Sequence, residues 1–158
     1  MGQSTRIRET VSVNVEPSGG FDGGVQAAVS PIDIFWPDGT TANSADRYGV
    51  ESGTLAAEGT VTLDLTAWNG PHGVDVGIAD VRALLIELSA PCTLAPGASN
   101  GWVGLGAAWT VTLQAGKYRF ICGSDPSMPV SGTNKTILLT AGAGAAVDYQ
   151  ITAIGASA

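Results

Sequence analysis

The feature that most constrains this chain is a series of short segments in which apolar and polar residues alternate, separated by glycine, proline and asparagine clusters. Residues 10–15 and 61–65 alternate strictly, which is typical of β-strands with one buried face. The chain contains 22 glycines and 8 prolines, and no ten-residue stretch has a convincing helical period. This pattern predicts an all-β fold, a single β-sandwich or jelly-roll-like domain.

Residues 81–88 form a nearly continuous apolar run, which favours a central strand covered on both faces and places Leu85 in the core. Short helices at 44–49 and 77–84 are alternatives that periodicity leaves open. The remaining predicted strands are 25–29, 32–36, 102–105, 110–113, 118–122, 136–140 and 146–154.

The strand pattern breaks up between residues 21 and 46, where glycines and prolines interrupt it. Loops longer than about 15 residues without structure of their own are uncommon in compact domains unless they are functional. We therefore expect residues 1–46 to form an N-terminal strand and a loop-rich arm that reaches a neighbouring subunit. Residues 47–158 are then the β-sandwich domain.

Charged residues are scarce: Asp, Glu, Lys and Arg make up 13% of the chain, against about 25% in an ordinary soluble domain. A surface made mostly of small neutral residues indicates contact with other protein, and so an assembly component more than an enzyme. The net charge of −7 disfavours nucleic acid. No apolar run is long enough to predict a membrane span.

The residues that could carry chemistry are few. His72 is the single histidine and falls in a predicted turn, and no nucleophile-elbow motif is present. The acidic residues are spread singly, which predicts neither a metal site nor any cofactor. Asp33 with Asp38, and Asp75 with Asp80, are the pairs that could serve glycoside hydrolysis, although solvated turn residues are the commoner case.

Two glycine-rich triplets, 104–106 and 142–144, do not continue as phosphate-binding motifs, and we expect both to be hairpin turns. Cys92 and Cys122 match no metal or redox spacing, and we expect reduced, buried thiols. No cofactor is predicted from either feature.

Aromatic residues are the remaining candidates for a binding role. Trp36, Trp68 and Trp102, with Phe35 beside Trp36, could anchor a subunit interface or line a sugar-binding platform. The ordinary alternative is core packing. An exposed groove shared by the three tryptophans would distinguish a sugar platform from the other two roles.

Five segments, 60–65, 81–87, 97–102, 111–120 and 145–151, follow one another between Arg47 and Gly155. Their order and spacing resemble those of small virion structural proteins of tailed bacteriophages, in particular head decoration or cement proteins. The resemblance covers roughly residues 47–155, and residues 1–46 match less clearly.

The resemblance implies a non-enzymatic protein on the outer surface of the phage head, bound to the major capsid protein at capsomer junctions. By analogy with the local threefold positions of such shells, it implies a trimer. The alternative is a tail or head-fibre receptor-binding module that recognises host polysaccharide. A carbohydrate-active enzyme on a jelly roll is a third possibility.

Overall fold

The structure is a computed structural model, which describes residues 5–9, 13–14, 26–27, 32–41, 44–70, 77–121 and 128–158. Within these residues all regular structure is β. The strands are β1 (Thr5–Glu9), β2 (Val13–Asn14), β3 (Gln26–Ala27), β4 (Ile32–Trp36), β5 (Arg47–Leu55), β6 (Thr60–Asp64), β7 (Asp80–Leu88), β8 (Cys92–Pro96), β9 (Val111–Leu113), β10 (Gly116–Ile121), β11 (Met128–Pro129), β12 (Thr136–Ala141) and β13 (Val147–Ala156).

Two antiparallel sheets form a β-sandwich, which confirms the predicted all-β class. The main sheet has the order β10-β7-β13-β5, and the short β11 also pairs with β7. The second sheet has the order β6-β12-β8-β9. The core lies between them, because alternate residues on each strand point inward.

The eight longer strands from β5 onward pair in a nested order. β5 pairs with β13, β6 with β12, β7 with β10 and β8 with β9, all antiparallel. The outermost ladder joins Arg47 to Gly155, and the innermost joins Leu94 to Val111. The chain is therefore arranged as one long hairpin wound around the core, with most consecutive strands in opposite sheets.

β7 is the central strand that the apolar run predicts, since it is hydrogen-bonded to β10 on one side and β13 on the other. Leu84 and Ile86 lie in the main core. Leu85 does not: it is half-buried on the opposite face, so its assignment to the main core was wrong. When every residue of a strand is apolar, the sequence does not indicate which of the two faces points toward the main core.

Other predicted elements also differ. Residues 44–49 and 77–84 form no helix; β5 and β7 occupy most of these positions. Residues 102–105, which were predicted to be a strand, form a loop. The Trp102 side chain is buried in the core, and pairing next to it is limited to a β-bridge between Gly101 and Thr136. The 142–144 turn connects β12 to β13 in different sheets, so it is not a hairpin. The 104–106 turn lies within the long β8–β9 connection.

The N-terminal strands lie outside both sheets of the sandwich. β1 pairs with β4, and β2 pairs with β3, each as a two-stranded antiparallel sheet. Of the strand predicted at residues 10–15, Val13 and Asn14 form β2, and the other four residues lie outside the described part. β4 matches the strand predicted at 32–36.

Candidate functional site

The tryptophans are packing residues in this structure. Trp68 and Trp102 lie in the main core, and Trp36 lies in a separate small cluster. Their exposed fractions are 1%, 0% and 3%, so they share no exposed groove. An aromatic sugar platform built from these three rings is therefore excluded. The side chain of Phe35 lies outside the described residues, although its backbone is part of β4.

Trp102 organises the loop between β8 and β9. Its indole nitrogen donates to the Pro129 carbonyl at 3.2 Å, and Trp109 donates to the Trp102 carbonyl at 2.8 Å. The two rings meet edge to face at 6.2 Å. Gly104 is required here, because a β-carbon would lie 2.0 Å from the Trp102 ring. This loop is therefore built around a buried indole.

The small cluster joins the N-terminal segment to the sandwich. Trp36 and Ala45 pack with Ala83 of β7 and Ile154 of β13, on the face of the main sheet that points away from the core. Half-buried Leu85 packs against them. The outer face of the main sheet is thus partly covered by residues of the predicted arm.

Arg82 of β7 binds the N-terminal segment to the main sheet. It is the extra residue of a β-bulge opposite β13 and is 2% exposed. Its Nε donates to the Ser44 carbonyl at 3.1 Å, and its Nη2 donates to the Thr41 carbonyl at 3.4 Å. Asp80 Oδ2 lies 4.0 Å from Nη1. Because a buried charge needs such partners, these contacts hold the segment in one position.

A second set of bonds lies just before β5. The Asp46 carboxylate accepts from the Ser157 amide at 2.7 Å and the Ser157 hydroxyl at 2.8 Å. The Asp46 amide donates to the Gly155 carbonyl at 3.1 Å. The base of the predicted arm, residues 36–46, is therefore anchored to β7 and to the end of β13 at several points.

The β1–β4 ladder begins where this anchor ends. It runs in register from Thr5 with Trp36 to Glu9 with Ile32. In the described part of the chain neither strand has a second pairing partner. A two-stranded sheet is marginally stable alone in water, and open edges are templates for another strand. The ladder is therefore a candidate contact with a neighbouring molecule.

The remaining outer face of the main sheet is polar and shallow. A depression of about 180 Å³ there is lined by Leu85, Lys117, Arg119, Gln150 and other side chains. Lys117 Nζ lies 3.1 Å from Glu87 Oε2, and both side chains are more than half exposed. Exposed ion pairs contribute at most about 1 kcal/mol. This face can accept a mixed polar protein contact.

The candidate catalytic residues are not assembled in the described structure. His72 and Asp75 lie outside the described residues. Asp38 is exposed, and Asp80 faces Arg82. Asp33 is placed on β4 by its backbone. Within the described ranges, no group of three or more His, Cys, Asp or Glu side chains could hold a metal ion.

Cys92 is a free, buried thiol in the core, as predicted. Burial raises its pKa, although backbone hydrogen bonds with Thr140 and Thr93 act in the opposite direction. A thiol with a raised pKa is a poor nucleophile and packs as a small apolar group. Cys122 lies outside the described residues.

Comparisons of the chain with protein-family models, with curated proteins and with solved structures give no significant match. The described residues contain no helix that is long and apolar enough to cross a membrane.

Proposed function

We propose that this protein is a bacteriophage head decoration, or cement, protein that binds the outer shell at capsomer junctions and stabilises it. The observation that carries the proposal is the β1–β4 ladder with its anchored base. An anchored two-stranded sheet whose strands have no second partner among the described residues is suited to pairing with a strand of a neighbouring subunit.

The nested strand pairing supports the same proposal. Four antiparallel ladders, with most consecutive strands in opposite sheets, support an eight-strand order like that of a jelly roll. We infer that residues 47–158 form such a domain. Jelly rolls occur in viral capsid domains and in lectins, among other proteins. This inference concerns architecture, and function is argued from the surfaces.

A cement protein acts by adding buried area between capsid subunits. A specific, lasting contact buries about 1,000 Å² or more. The low charge of the chain lowers the desolvation cost of such a contact, and the net charge of −7 keeps the free protein away from packaged DNA. Three copies around a local threefold axis would bring three arms onto one junction. The proposed action is binding alone.

The test uses virions of the phage that encodes the chain. Electron cryomicroscopy of purified virions should show many copies on the head. Virions stripped of the protein should lose DNA at a lower temperature, and the purified full-length chain should restore heat resistance. Copies confined to the tail, or stripped virions that keep their heat resistance but fail to adsorb to cells, would replace this proposal with a receptor-binding role.

A truncation isolates the arm. Removing residues 1–35 keeps Trp36 and its cluster, so the sandwich should stay folded while head binding falls at least tenfold. Circular dichroism and a melting curve provide the folding control. If the truncated protein decorates heads at full occupancy, the arm is not the contact.

A further inference from the structure

A cleft lies at the open side of the sandwich, where the edge strand β5 of one sheet faces the edge strand β6 of the other. Its volume is about 300 Å³, at the lower end for small-molecule sites. Glu51, Thr62, Asp64, Trp68 and Tyr149 supply its polar groups. It is separate from the arm and from the outer face of the main sheet.

Trp68 lines this cleft and is 1% exposed. Its indole N–H is buried and has no acceptor among the described residues. Trp102 and Trp109, by contrast, both donate to backbone carbonyls. Buried indole N–H groups usually have a hydrogen-bond acceptor. The indole N–H of Trp68 therefore needs an acceptor from outside the described residues.

Tyr149 reaches across β5 toward the same opening. Its ring lies over Gly53, where a β-carbon would be 2.9 Å from the Tyr149 hydroxyl oxygen. That hydroxyl has no hydrogen-bond partner in the described part. Burial, followed by the negative charge of Glu51, raises the pKa of Tyr149. The hydroxyl therefore stays protonated at neutral pH and can donate a hydrogen bond.

Glu51 supplies the free acceptor. Its Oε1 accepts from the amide and side chain of Asn69 at 3.4 and 3.2 Å, whereas Oε2 has no hydrogen-bond partner among the described residues. Asp64 is fully engaged, with Lys135 at 2.6 Å on Oδ2 and Thr66 on Oδ1. The residues that line the cleft thus include one carboxylate oxygen and two donors without a hydrogen-bond partner in the described part of the chain, and one of these donors is the buried indole N–H of Trp68.

This set of groups discriminates between ligands. An anion would be repelled by Glu51, and a cation would face the donor hydrogens of Trp68 and Tyr149. An added peptide strand would find the Val50 amide already bonded to the Asn69 carbonyl, and an inward-pointing charge at Glu51. A hydroxyl group accepts from a donor and donates to a carboxylate, which satisfies both kinds of group.

We propose that this cleft binds a neutral polyhydroxylated ligand, a single sugar residue of a glycan, through Trp68, Tyr149 and Glu51. The site does not depend on the aromatic stacking platform that burial of the tryptophans excludes. It is independent of the proposed place on a phage head, because neither the arm nor the outer face of the main sheet takes part.

The experiment is a nitrogen–proton NMR titration of the full chain with glucose, galactose, mannose, rhamnose and N-acetylglucosamine, each to 50 mM. At least one should move the Trp68 indole resonance with saturation while those of Trp102 and Trp109 stay in place. Tyr149→Phe should weaken binding two- to tenfold, and Glu51→Gln about tenfold or more, because hydrogen bonds to charged groups are the stronger.

Matched controls separate the site from general destabilisation. Two control variants carry changes on outer faces: Tyr48→Phe on β5 and Glu87→Gln on β7. Both should bind the sugar as tightly as the unchanged chain does. Gly53→Ala should weaken binding by displacing the Tyr149 ring, without removing a polar group. The proposal is overturned if no sugar moves the Trp68 resonance, if glucuronate or lysine amide binds as tightly as the best neutral sugar, or if the controls weaken binding equally.

Discussion

Adjacent residues on β7 should differ sharply in their effect on stability. Ile86 is 2% exposed within the main core, whereas Leu85 is half-buried on the outer face. Ile86→Ala removes three buried carbons and leaves a closed cavity, for a loss of about 3 kcal/mol. Leu85→Ala opens a site that solvent can fill, so we expect a loss of about 1 kcal/mol.

Urea unfolding followed by circular dichroism measures both losses, provided the slope with denaturant is unchanged. For a chain of this size, each 1 kcal/mol lowers the melting temperature by about 2–4 °C. Ile86→Ala should therefore melt about 6–12 °C lower, and Leu85→Ala about 2–4 °C lower. Equal losses, or a larger loss for Leu85→Ala, would show that the inner and outer faces of β7 have been assigned the wrong way round.

Three further predictions concern ionisable and polar groups. Partial burial raises the pKa of Asp64, but its bonds to Lys135 and Thr66 outweigh this and lower the pKa below 3.8. Its stabilisation is therefore full above pH 3.8 and fades as the pH falls further, and Asp64→Asn should flatten the acid limb of the stability profile. Arg82→Met should cost about 1–3 kcal/mol in urea unfolding, because the buried Ser44 carbonyl loses its donor; an unchanged midpoint would contradict the anchoring role. Iodoacetamide at pH 8 should label Cys92 only after denaturation, as peptide mass spectrometry would show.

The alternation of apolar and polar residues predicted most of the strands but not β5. The inward positions of β5 include Glu51 and Gly53, so its sequence lacks an apolar period. The missing bulk at Gly53 is supplied by the ring of Tyr149, from the neighbouring strand. β1, β8 and β11 were also missed, and β8 is a short segment lying between Pro91 and a terminal proline. A side chain that fills space on a neighbouring strand cannot be recognised when each segment of the sequence is considered alone.

The candidate sites were less predictable than the fold. Tryptophans mark either cores or interfaces, and only the packed structure decides that Trp36 and Trp68 are buried. The role of Arg82 depends on a bulge that shifts it onto the outer face. The cleft depends on which polar groups lack partners, for which no sequence signal exists.

The nested pairing also sets the order in which the protein can fold. Its outermost ladder joins Arg47 to Gly155, roughly a hundred residues apart in the chain, and β13 lies between β5 and β7. Contacts of such long separation slow folding, because the chain loses entropy before they form. During synthesis, the main sheet has a missing central strand until β13 leaves the ribosome, and the facing edges of β5 and β7 stay unpaired. The nascent chain is therefore most exposed to aggregation just before that point.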